Sequence, residues 1–527
     1  MKKIISLITL CMLLLTATAQ TAQDQRELDL AMRKIATAHM AIKALYIDTV
    51  NTTALTDEAI KAMLAQLDPH SSYSNAEETK KFTEPLNSNF EGIGVQFNIL
   101  NDTLVVVQTV SKGPSEKAGV LAGDRIILVN DTAIAGVKMP RDEIMKRLRG
   151  PKGTIAMLGI KRRGVAETLY FRIVRDKIPL YSVDAAYMIR PNIGMIRISN
   201  FAMTTRDELR DAIKKLKKQG MKSLILDLEQ NGGGYLEAAN GVASEFLHKN
   251  DLVVYTDGRT VPRQTLTASG DGQFTDGQIV VLVDEYTASA AEIVSGAIQD
   301  HDRGIIVGRR TFGKGLVQRP IELPDGSMIR LTVSHYYTPS GRCIQKPYEK
   351  GKKADYDGDL MDRYNNGELM HLDSIHFADS LKCYTLKEKR VVYGGGGIMP
   401  DHFVPLDTTI FTNYYRELNR KNVILNTYLT YFDNHRKELK AQYKDFDTYK
   451  QTFEVPKEII DKIFSEGEKL NVHPKNNAEK RQTIPRIKIQ IKGLIARDLW
   501  NMSEYFAIVN EESATVKKAL ELLSDKQ

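Results

Sequence analysis

The sequence predicts a multidomain α/β protein, and three observations support this prediction. The chain has 527 residues, which is enough for several domains of ordinary size. Between residues 179 and 408, short apolar runs alternate with helical segments, as in parallel strands joined by crossover helices. Residues 20–88 and 409–527 have the pattern of helices. We therefore expect an α/β core between helical N- and C-terminal regions, the latter forming a separate bundle.

The individual core elements follow from the same pattern. Apolar runs predict strands at 193–198, 223–228, 278–284, 305–308 and 391–393, and residues 206–218 predict a basic amphipathic helix. Residues 351–372 are rich in Gly, Asp and Lys, which favours a loop or insertion.

The N-terminus has the pattern of a secretory signal peptide. Lys2 and Lys3 precede the apolar run Ile4 to Leu15, and Ala17-Thr18-Ala19 has the small-x-small form of a cleavage site. The apolar run is too short to span a membrane. We predict a signal peptide at residues 1–19 and export across the inner membrane to the periplasm. An uncleaved membrane anchor is the alternative.

The remaining composition is ordinary. The formal net charge of +7 is spread along the chain, and only residues 481–492 show clustered basic residues, so no nucleic-acid partner is expected. After removal of the signal peptide the cysteines are Cys343 and Cys383, and the sequence leaves open whether they form a disulfide.

Residues 89–178 carry a different pattern of short strands and two short helices. A strand opens at Gly92 to Val95, and residues 113–119 predict a turn, a short helix and a glycine stop. A turn and a buried strand follow at 121–129, then a helix at 141–149 and a hairpin through 150–153. This order resembles a PDZ domain of the kind found in bacterial proteases.

Ser289 is the first candidate catalytic residue. It follows the strand that ends at Asp284, and the Ala-rich run after it favours a helix. With Thr287 as N-cap, Ser289 would lie in the first helical turn, where free N–H groups favour a developing oxyanion. A serine in this position is suited to acyl transfer, although many such serines are only helix caps.

Lys314 is the second candidate, because it lies between two glycines after a buried strand. Burial lowers the pKa of a lysine, and a neutral lysine can activate a serine without a histidine. Gln318 lies four residues later, and in a helical turn its amide would face Lys314.

The third candidate is the glycine loop Gly232 to Gly234, which directly follows a buried strand ending near Asp227. Glycines let the backbone approach a substrate closely, and their N–H groups could stabilise an oxyanion. A phosphate-binding loop is the alternative, but the spacing does not match the known phosphate-binding patterns.

Together these blocks resemble the carboxyl-terminal processing (tail-specific) peptidases, serine protease family S41, from about residue 67 to 405. The resemblance also includes residues 337–342 and 396–401. It implies a crotonase-like (ClpP-like) serine protease core with an inserted PDZ domain. It also implies a set of functional residues: the nucleophile Ser289, the base Lys314, its support Gln318, the oxyanion N–H groups of Gly233 and Ala290, the supporting residues Glu292, Asp300 and Thr311, and the peptide-binding loop Gly92, Ile93, Gly94 and Val95.

Three positions depart from the family pattern. Glu229 stands where arginine is common, Gly232 where proline is frequent, and Ala291 where serine is frequent. None of these changes removes a reacting group. Because of Glu229, the sequence leaves open whether an arginine acts beside the glycine loop.

The expected activity is cleavage of proteins whose apolar C-terminal tails bind the PDZ domain, through an acyl-enzyme and without a cofactor or metal. An adaptor protein, or a second copy bound through the helical termini, is a further expected partner. The alternatives are a Ser-His-Asp hydrolase using His301 or His335, a metal site at His371, Asp373 and His376, an inert PDZ scaffold, and a protease silent until a partner binds.

Overall fold

The computed structural model describes the backbone of residues 2–407 and 411–524, and within these ranges the side chains from residue 23 onward. The predicted signal peptide, residues 1–19, lies outside the described side chains. Among the described residues, none of the helices combines the length and apolar character needed to cross a membrane.

The N-terminal region is helical, as predicted, but it also contributes a strand to the core. Its elements are α1 (Lys2–Leu45), α2 (Thr52–Ala65), β1 (Ser72–Ser74) and α3 (Ala76–Leu86). Asn51 caps α2, and α2 ends just before Asp68-Pro69, where a helix stop was expected. The turn that follows leads into β1, which pairs with a long core strand. The sequence pattern did not predict β1.

The PDZ-like domain follows the predicted order. Its elements are β2 (Asn89–Gly92), β3 (Val95–Leu100), β4 (Thr103–Thr109), α4 (Pro114–Ala118), β5 (Arg125–Val129), β6 (Thr132–Ala133), α5 (Arg141–Leu148), β7 (Ile155–Lys161), β8 (Leu169–Val174) and β9 (Asp176–Pro179). Gly119 ends α4 at φ +90°, as the glycine stop requires. The main sheet has the order β3-β4-β5-β7-β8, so β3 is an edge strand. Apolar side chains such as Leu104, Val106 and Ile126 form a core of its own.

The α/β core contains two sheets. Its elements are β10 (Val183–Arg190), β11 (Ile193–Ile198), α6 (Thr205–Lys218), β12 (Ser223–Asp227), α7 (Leu236–Ala243), β13 (Leu252–Asp257), β14 (Gln264–Thr267), β15 (Gln278–Val283), α8 (Ala290–Asp300), β16 (Ile305–Gly308), β17 (Leu316–Glu322), β18 (Met328–Tyr337), α9 (Lys353–Asn365), β19 (Lys382–Tyr384), β20 (Val391–Tyr393) and β21 (His402–Phe403). The larger sheet has the order β10-β11-β12-β15-β16-β21, and β11, β12, β15 and β16 are parallel, as predicted. In the second sheet, β18 pairs with β1, β13 and β17.

The predicted loop at 351–372 is wrong, because most of it forms helix α9. Within α9, two side chains are buried: Tyr356 is 4% exposed and Arg363 is 2% exposed. Arg363 donates from Nε to Glu368 Oε1 at 2.8 Å and from Nη2 to the carbonyl of Arg310 at 2.6 Å. The contact with Arg310, 53 residues earlier in the chain, helps to stabilise a helix whose composition favours a loop.

The C-terminal helical region is only partly the separate bundle that was expected. Its helices are α10 (Asn413–Arg420), α11 (Val423–Gln442), α12 (Phe446–Thr452), α13 (Lys457–Lys469), α14 (Asn477–Leu499), α15 (Met502–Val509) and α16 (Ala514–Ser524). Helices α10–α14 build most of one apolar cluster. The last helix instead packs Val516, Ala519 and Leu523 against Ile225 and Val280 of the parallel sheet. The predicted boundary near residue 408 lies outside the described residues.

Cys343 and Cys383 are free thiols.

Candidate active site

Ser289 lies at a sharp turn between β15 and α8. It is itself the residue that caps α8, so the predicted N-cap, Thr287, and the predicted place of Ser289 inside the first turn are both wrong. The Ser289 backbone has φ +56° and ψ −117°, a conformation that non-glycine residues rarely adopt. Such strain persists only where surrounding contacts enforce it, and it is typical of a nucleophile presented on a strand-to-helix turn.

Thr287 is fully buried and holds the turn in another way. Its hydroxyl donates to the carbonyl of Leu228 at 2.9 Å and accepts from the N–H of Asp284 at 2.9 Å. The carboxylate of Asp284 accepts from the N–H groups of Tyr286 at 3.1 Å and Thr287 at 3.0 Å. It also accepts from the N–H of Gln230 at 3.0 Å, and so joins the serine turn to the glycine loop. The sequence pattern did not identify Asp284, which ends a predicted strand like many structural residues.

Glu292 connects the serine to the lysine loop. Its buried carboxylate accepts four hydrogen bonds: from the Ser289 N–H at 2.8 Å, the Thr311 hydroxyl at 2.5 Å, the Gly313 N–H at 2.7 Å and the Lys314 N–H at 2.9 Å. Burial raises the pKa of Glu292, while the four donors favour its charged form. The backbones of Ser289 and Lys314 are thereby fixed to one side chain.

Lys314 has the electrostatic environment of a general base. Burial lowers the pKa of its amine to about 8, and the positive charge of Arg330 adds to this effect. The carboxylates of Glu292 and Asp68 act in the opposite direction. A lysine with this pKa is neutral in an appreciable fraction of molecules near pH 7.

Gln318 does not support Lys314 through a helical turn, because the chain continues into strand β17. Its amide donates to the Thr332 hydroxyl at 3.2 Å, and that hydroxyl donates to Asp68 Oδ1 at 2.8 Å. Asp68, which the sequence marked only as a helix stop, also accepts from the N–H groups of His70 and Ser71. The N-terminal region therefore reaches the neighbourhood of the lysine.

His70 is another residue that the sequence pattern did not identify. Its Nε2 forms a 2.8 Å hydrogen bond with the Tyr356 hydroxyl. Burial, together with a smaller effect from the charge of Lys314, lowers the pKa of His70 to about 3. His70 is therefore neutral at physiological pH. Its position next to Asp68-Pro69 offered no motif that would have marked it.

The glycine loop lies directly against the serine. A Cβ placed on Gly233 would lie 2.8 Å from Ser289 Cβ, and the φ of Gly233 is +99°, so no other residue fits. The Gly233 N–H donates to Asn231 Oδ1 at 2.8 Å. In this conformation the predicted oxyanion donor is therefore occupied by a side chain.

Ala290 N–H, the other predicted oxyanion donor, is the first in helix α8. The first N–H groups of a helix have no acceptor within it. In the part of the chain that the structure describes, no hydrogen bond joins Ser289 Oγ to Lys314 Nζ. The turn, the lysine loop and the glycine loop are thus assembled, while the reacting atoms are not hydrogen-bonded to each other.

An arginine lies beside the glycine loop despite the departure at Glu229. Arg197 of β11 forms a 2.5 Å ion pair with Asp227 and donates from Nη2 to the Glu229 carbonyl at 2.8 Å. The Glu229 carboxylate accepts instead from Thr515 of α16 at 3.2 Å. Burial and the charges of Asp227 and Asp284 raise the pKa of Glu229 to about 8.

The other predicted supporting residues hold neighbouring loops. Asp300, at the end of α8, accepts from the Ser340 N–H at 2.9 Å and forms a fully buried ion pair with Arg342 at 2.8 Å. The Thr311 hydroxyl accepts from the Ile398 N–H at 2.6 Å while donating to Glu292. These contacts attach residues 337–342 and 396–401 to the site.

The alternative histidine sites gain no support from these contacts. His301 Nε2 bonds to the carbonyl of Leu252 at 2.7 Å, and His335 is an exposed residue of β18. Within residues 23–407 and 411–524, no group of three or more His, Cys, Asp or Glu side chains is placed to hold a metal ion.

Parts of the chain match four protein-family models. Residues 192–357 match the model of peptidase family S41, and residues 92–171 match that of the PDZ domain. Residues 13–79 match the model of the activating protease CtpB N-terminal domain, and residues 414–501 match that of a family of unknown function. The carboxy-terminal-processing protease of Bartonella bacilliformis is 38% identical over 309 residues, which cover 58% of this chain and 70% of that protein. The carboxy-terminal processing protease CtpA of Bacillus subtilis is 37% identical over 328 residues, covering 61% of this chain and 69% of CtpA. Among solved structures, a photosystem II D1 C-terminal processing protease matches 58% of this chain and 83% of its own at 29% identity and a TM-score of 0.32.

Proposed function

Since this chain belongs to peptidase family S41, as a homologue of the carboxy-terminal processing proteases, we propose that it is a serine-type endopeptidase with Ser289 as nucleophile and Lys314 as general base. The observation that carries this proposal is the single buried carboxylate of Glu292, which holds the backbones of both residues. The low pKa of Lys314 supports its role as base. The parallel strands β11, β12, β15 and β16 are consistent with a crotonase-like (ClpP-like) core.

The reaction proceeds in two stages. Ser289 Oγ attacks the scissile carbonyl carbon while neutral Lys314 accepts the hydroxyl proton. The oxyanion is stabilised by N–H groups, with those of Ala290 and Gly233 as donors. The C–N bond then breaks and Lys314 returns its proton to the leaving amine, which leaves an ester on Ser289. Water, deprotonated by Lys314, attacks the ester, and the second product leaves as Ser289 regains a proton.

Substrate tails bind the PDZ domain by β-strand addition to β3. The strand lies at the edge of its sheet, and so offers free backbone groups. The loop Gly92 to Val95 precedes it and receives the terminal carboxylate. This loop is anchored by the Ile93 carbonyl, which accepts from the Ser115 hydroxyl at 2.7 Å, and by the Gly94 carbonyl, which accepts from Val110 at 3.0 Å.

The occupied Gly233 N–H favours a second function of the same site, a resting protease that substrate or a partner activates. The oxyanion hole needs the Gly233 N–H, and here that group bonds to Asn231. Breaking the bond to Asn231 would free the Gly233 N–H, and approach of Lys314 Nζ to Ser289 Oγ would complete the site.

The apolar residues exposed on α1, such as Leu30 and Met32, support binding of a second copy or an adaptor. Sedimentation velocity tests this binding. We place the activity in the periplasm, on the strength of the predicted signal peptide.

The test is cleavage of an unfolded protein with an apolar C-terminal tail. The unaltered chain should cleave it, and Ser289→Ala should reduce cleavage to background. Lys314→Arg should do the same, because arginine keeps the charge but cannot be deprotonated. Ser295→Ala is the matched control, since Ser295 lies in the same helix and bonds only to helix carbonyls.

A fluorophosphonate probe separates the remaining alternatives. It should label the unaltered chain on Ser289 and fail to label Ser289→Ala. Cleavage retained in Ser289→Ala would overturn the proposal. Tail binding without labelling or cleavage, even in the presence of excess tail peptide, would favour an inert scaffold.

A further inference from the structure

A cleft of about 600 Å³ lies between the PDZ domain and the C-terminal helical region. One wall is the end of β3 and its turn, residues 99–102. The other wall is formed by α11 and α13, which contribute Val423, Asn426, Ile459 and Glu458 among others. We call this space the junction cleft. It lies apart from Ser289 and Lys314, which do not line it.

The two walls of the junction cleft are held together by direct contacts. Leu100 packs against the apolar cluster of the C-terminal helices. Arg125 of β5 forms a 2.6 Å ion pair with Asp433 of α11, and Arg436 donates to the carbonyl of Val107 at 2.8 Å. Arg163 adds a 3.0 Å hydrogen bond to Asn434. The cleft therefore has a defined shape.

The junction cleft continues the groove that a substrate tail would occupy. A tail added to β3 with its carboxylate at Gly92 to Val95 runs antiparallel to that strand. At ~3.3 Å per residue, about six tail residues reach from the loop to Leu100, the last residue of β3. The preceding part of the substrate then leaves β3 where the cleft opens.

The lining of the junction cleft suits a peptide with a basic side chain. Val423 and Ile459 are buried at its floor, and Asn426 and Thr430 present exposed polar groups that can bond to a peptide backbone. The lining includes three carboxylates, Asp102, Glu458 and Glu466, and one lysine, Lys462. Glu466 pairs with Lys462 and with Lys469, whereas Glu458 forms no ion pair with any described residue.

We propose that the junction cleft is a second peptide-binding subsite, which takes the substrate segment about six to nine residues before the C-terminus and prefers a basic side chain there. This proposal rests on the proposed binding of substrate tails to β3. It gives the C-terminal helical region a direct part in substrate selection.

The experiment measures binding of fluorescent peptides to full-length Ser289→Ala protein, which prevents cleavage. One peptide has four apolar tail residues, and two decapeptides share that tail but carry Lys or Glu at the seventh position from the end. The Lys decapeptide should bind about tenfold more tightly than the tetrapeptide and about fivefold more tightly than the Glu decapeptide.

Variants then locate the effect. Adding Glu458→Lys should remove or reverse the preference for Lys and leave tetrapeptide affinity unchanged. Glu468→Lys, an exposed change on the same helix outside the cleft, should leave every affinity unchanged. Equal affinity for all three peptides would overturn the subsite while tail binding stands. Failure of every peptide to bind would instead overturn tail recognition, and the subsite with it.

Discussion

Around Ser289 the polar groups that fix the backbone are buried and satisfied, whereas at the junction of the PDZ domain and the C-terminal helices they are partly in contact with solvent. Glu292, Thr287 and Asn231 are fully buried. At the junction, the side chains of Arg125 and Asp433 are 28% and 15% exposed, beside an open cleft.

This difference has an energetic consequence. Leaving a buried donor without a partner costs about 1–3 kcal/mol per group, while a partly exposed ion pair contributes roughly 1 kcal/mol or less. Changes near Ser289 should therefore abolish activity, and changes at the junction should adjust it. In the proposed protease, the backbone of the serine turn is held by buried contacts, whereas the attachment of the PDZ domain can be tuned.

Glu292→Gln should cause the largest loss of activity and stability among the changes considered. The amide NH2 group would face N–H donors of Ser289 or of the lysine loop and leave them unsatisfied. We expect kcat/KM to fall on the order of 100-fold or more and stability to fall by about 2–4 kcal/mol. Peptide cleavage and chemical denaturation measure the two effects.

Glu237→Gln is the control for this change, because Glu237 also lies in the first turn of a core helix but is exposed. It should alter neither quantity measurably. Near-normal activity in Glu292→Gln would show that the four hydrogen bonds do not position the reacting groups.

The pH dependence of cleavage tests the protonation state of Lys314. Lys314 must be neutral to accept a proton, and burial lowers its pKa to about 8. Below this value kcat/KM should rise about tenfold per pH unit, and above it the rate should level off. Rates from pH 5.5 to 9.5 on one peptide test this, and a plateau only near pH 10 would show an ordinary exposed lysine.

Arg330→Gln offers a variant for the same measurement. The charge of Arg330 lowers the pKa of Lys314, so its loss should move the profile to higher pH and slow cleavage at pH 7 about two- to fivefold. Arg319→Gln, an exposed change on the neighbouring strand, should leave the profile in place. Equal pH profiles for all three proteins would show that Arg330 does not lower the pKa of Lys314.

The sequence predicted the parallel strands because their apolar runs and the intervening helices are local patterns. Ser289 and Lys314 became candidates because each lies in a short motif after a strand, and the resemblance to family S41 supplied the roles now proposed for them. The sequence did not show whether the Gln318 amide faces Lys314, since it gives the spacing of the two residues but not that the chain enters β17.

Long-range contacts were beyond the sequence pattern. Helix α9 depends on the contact of Arg363 with Arg310, and α16 depends on its packing against the parallel sheet. The role of Asp284 depends on Gln230, which lies on another loop. Such residues carry no local signal because their partners are far away in the chain.

Arg125→Ala and Asp433→Ala test the contact between the PDZ domain and the C-terminal helices. They should have the smallest effect on activity. The pair is partly exposed, so each change should alter kcat/KM for a tailed substrate by less than about fivefold. The double variant should match Asp433→Ala, because that change alone removes both the Arg125 pair and the 3.6 Å contact of Asp433 with Arg163. Arg420→Ala and Glu417→Ala, which break an exposed pair on α10, are the controls and should have no effect. A loss of 100-fold in either junction variant would show instead that the position of the PDZ domain controls the assembly of the reaction centre.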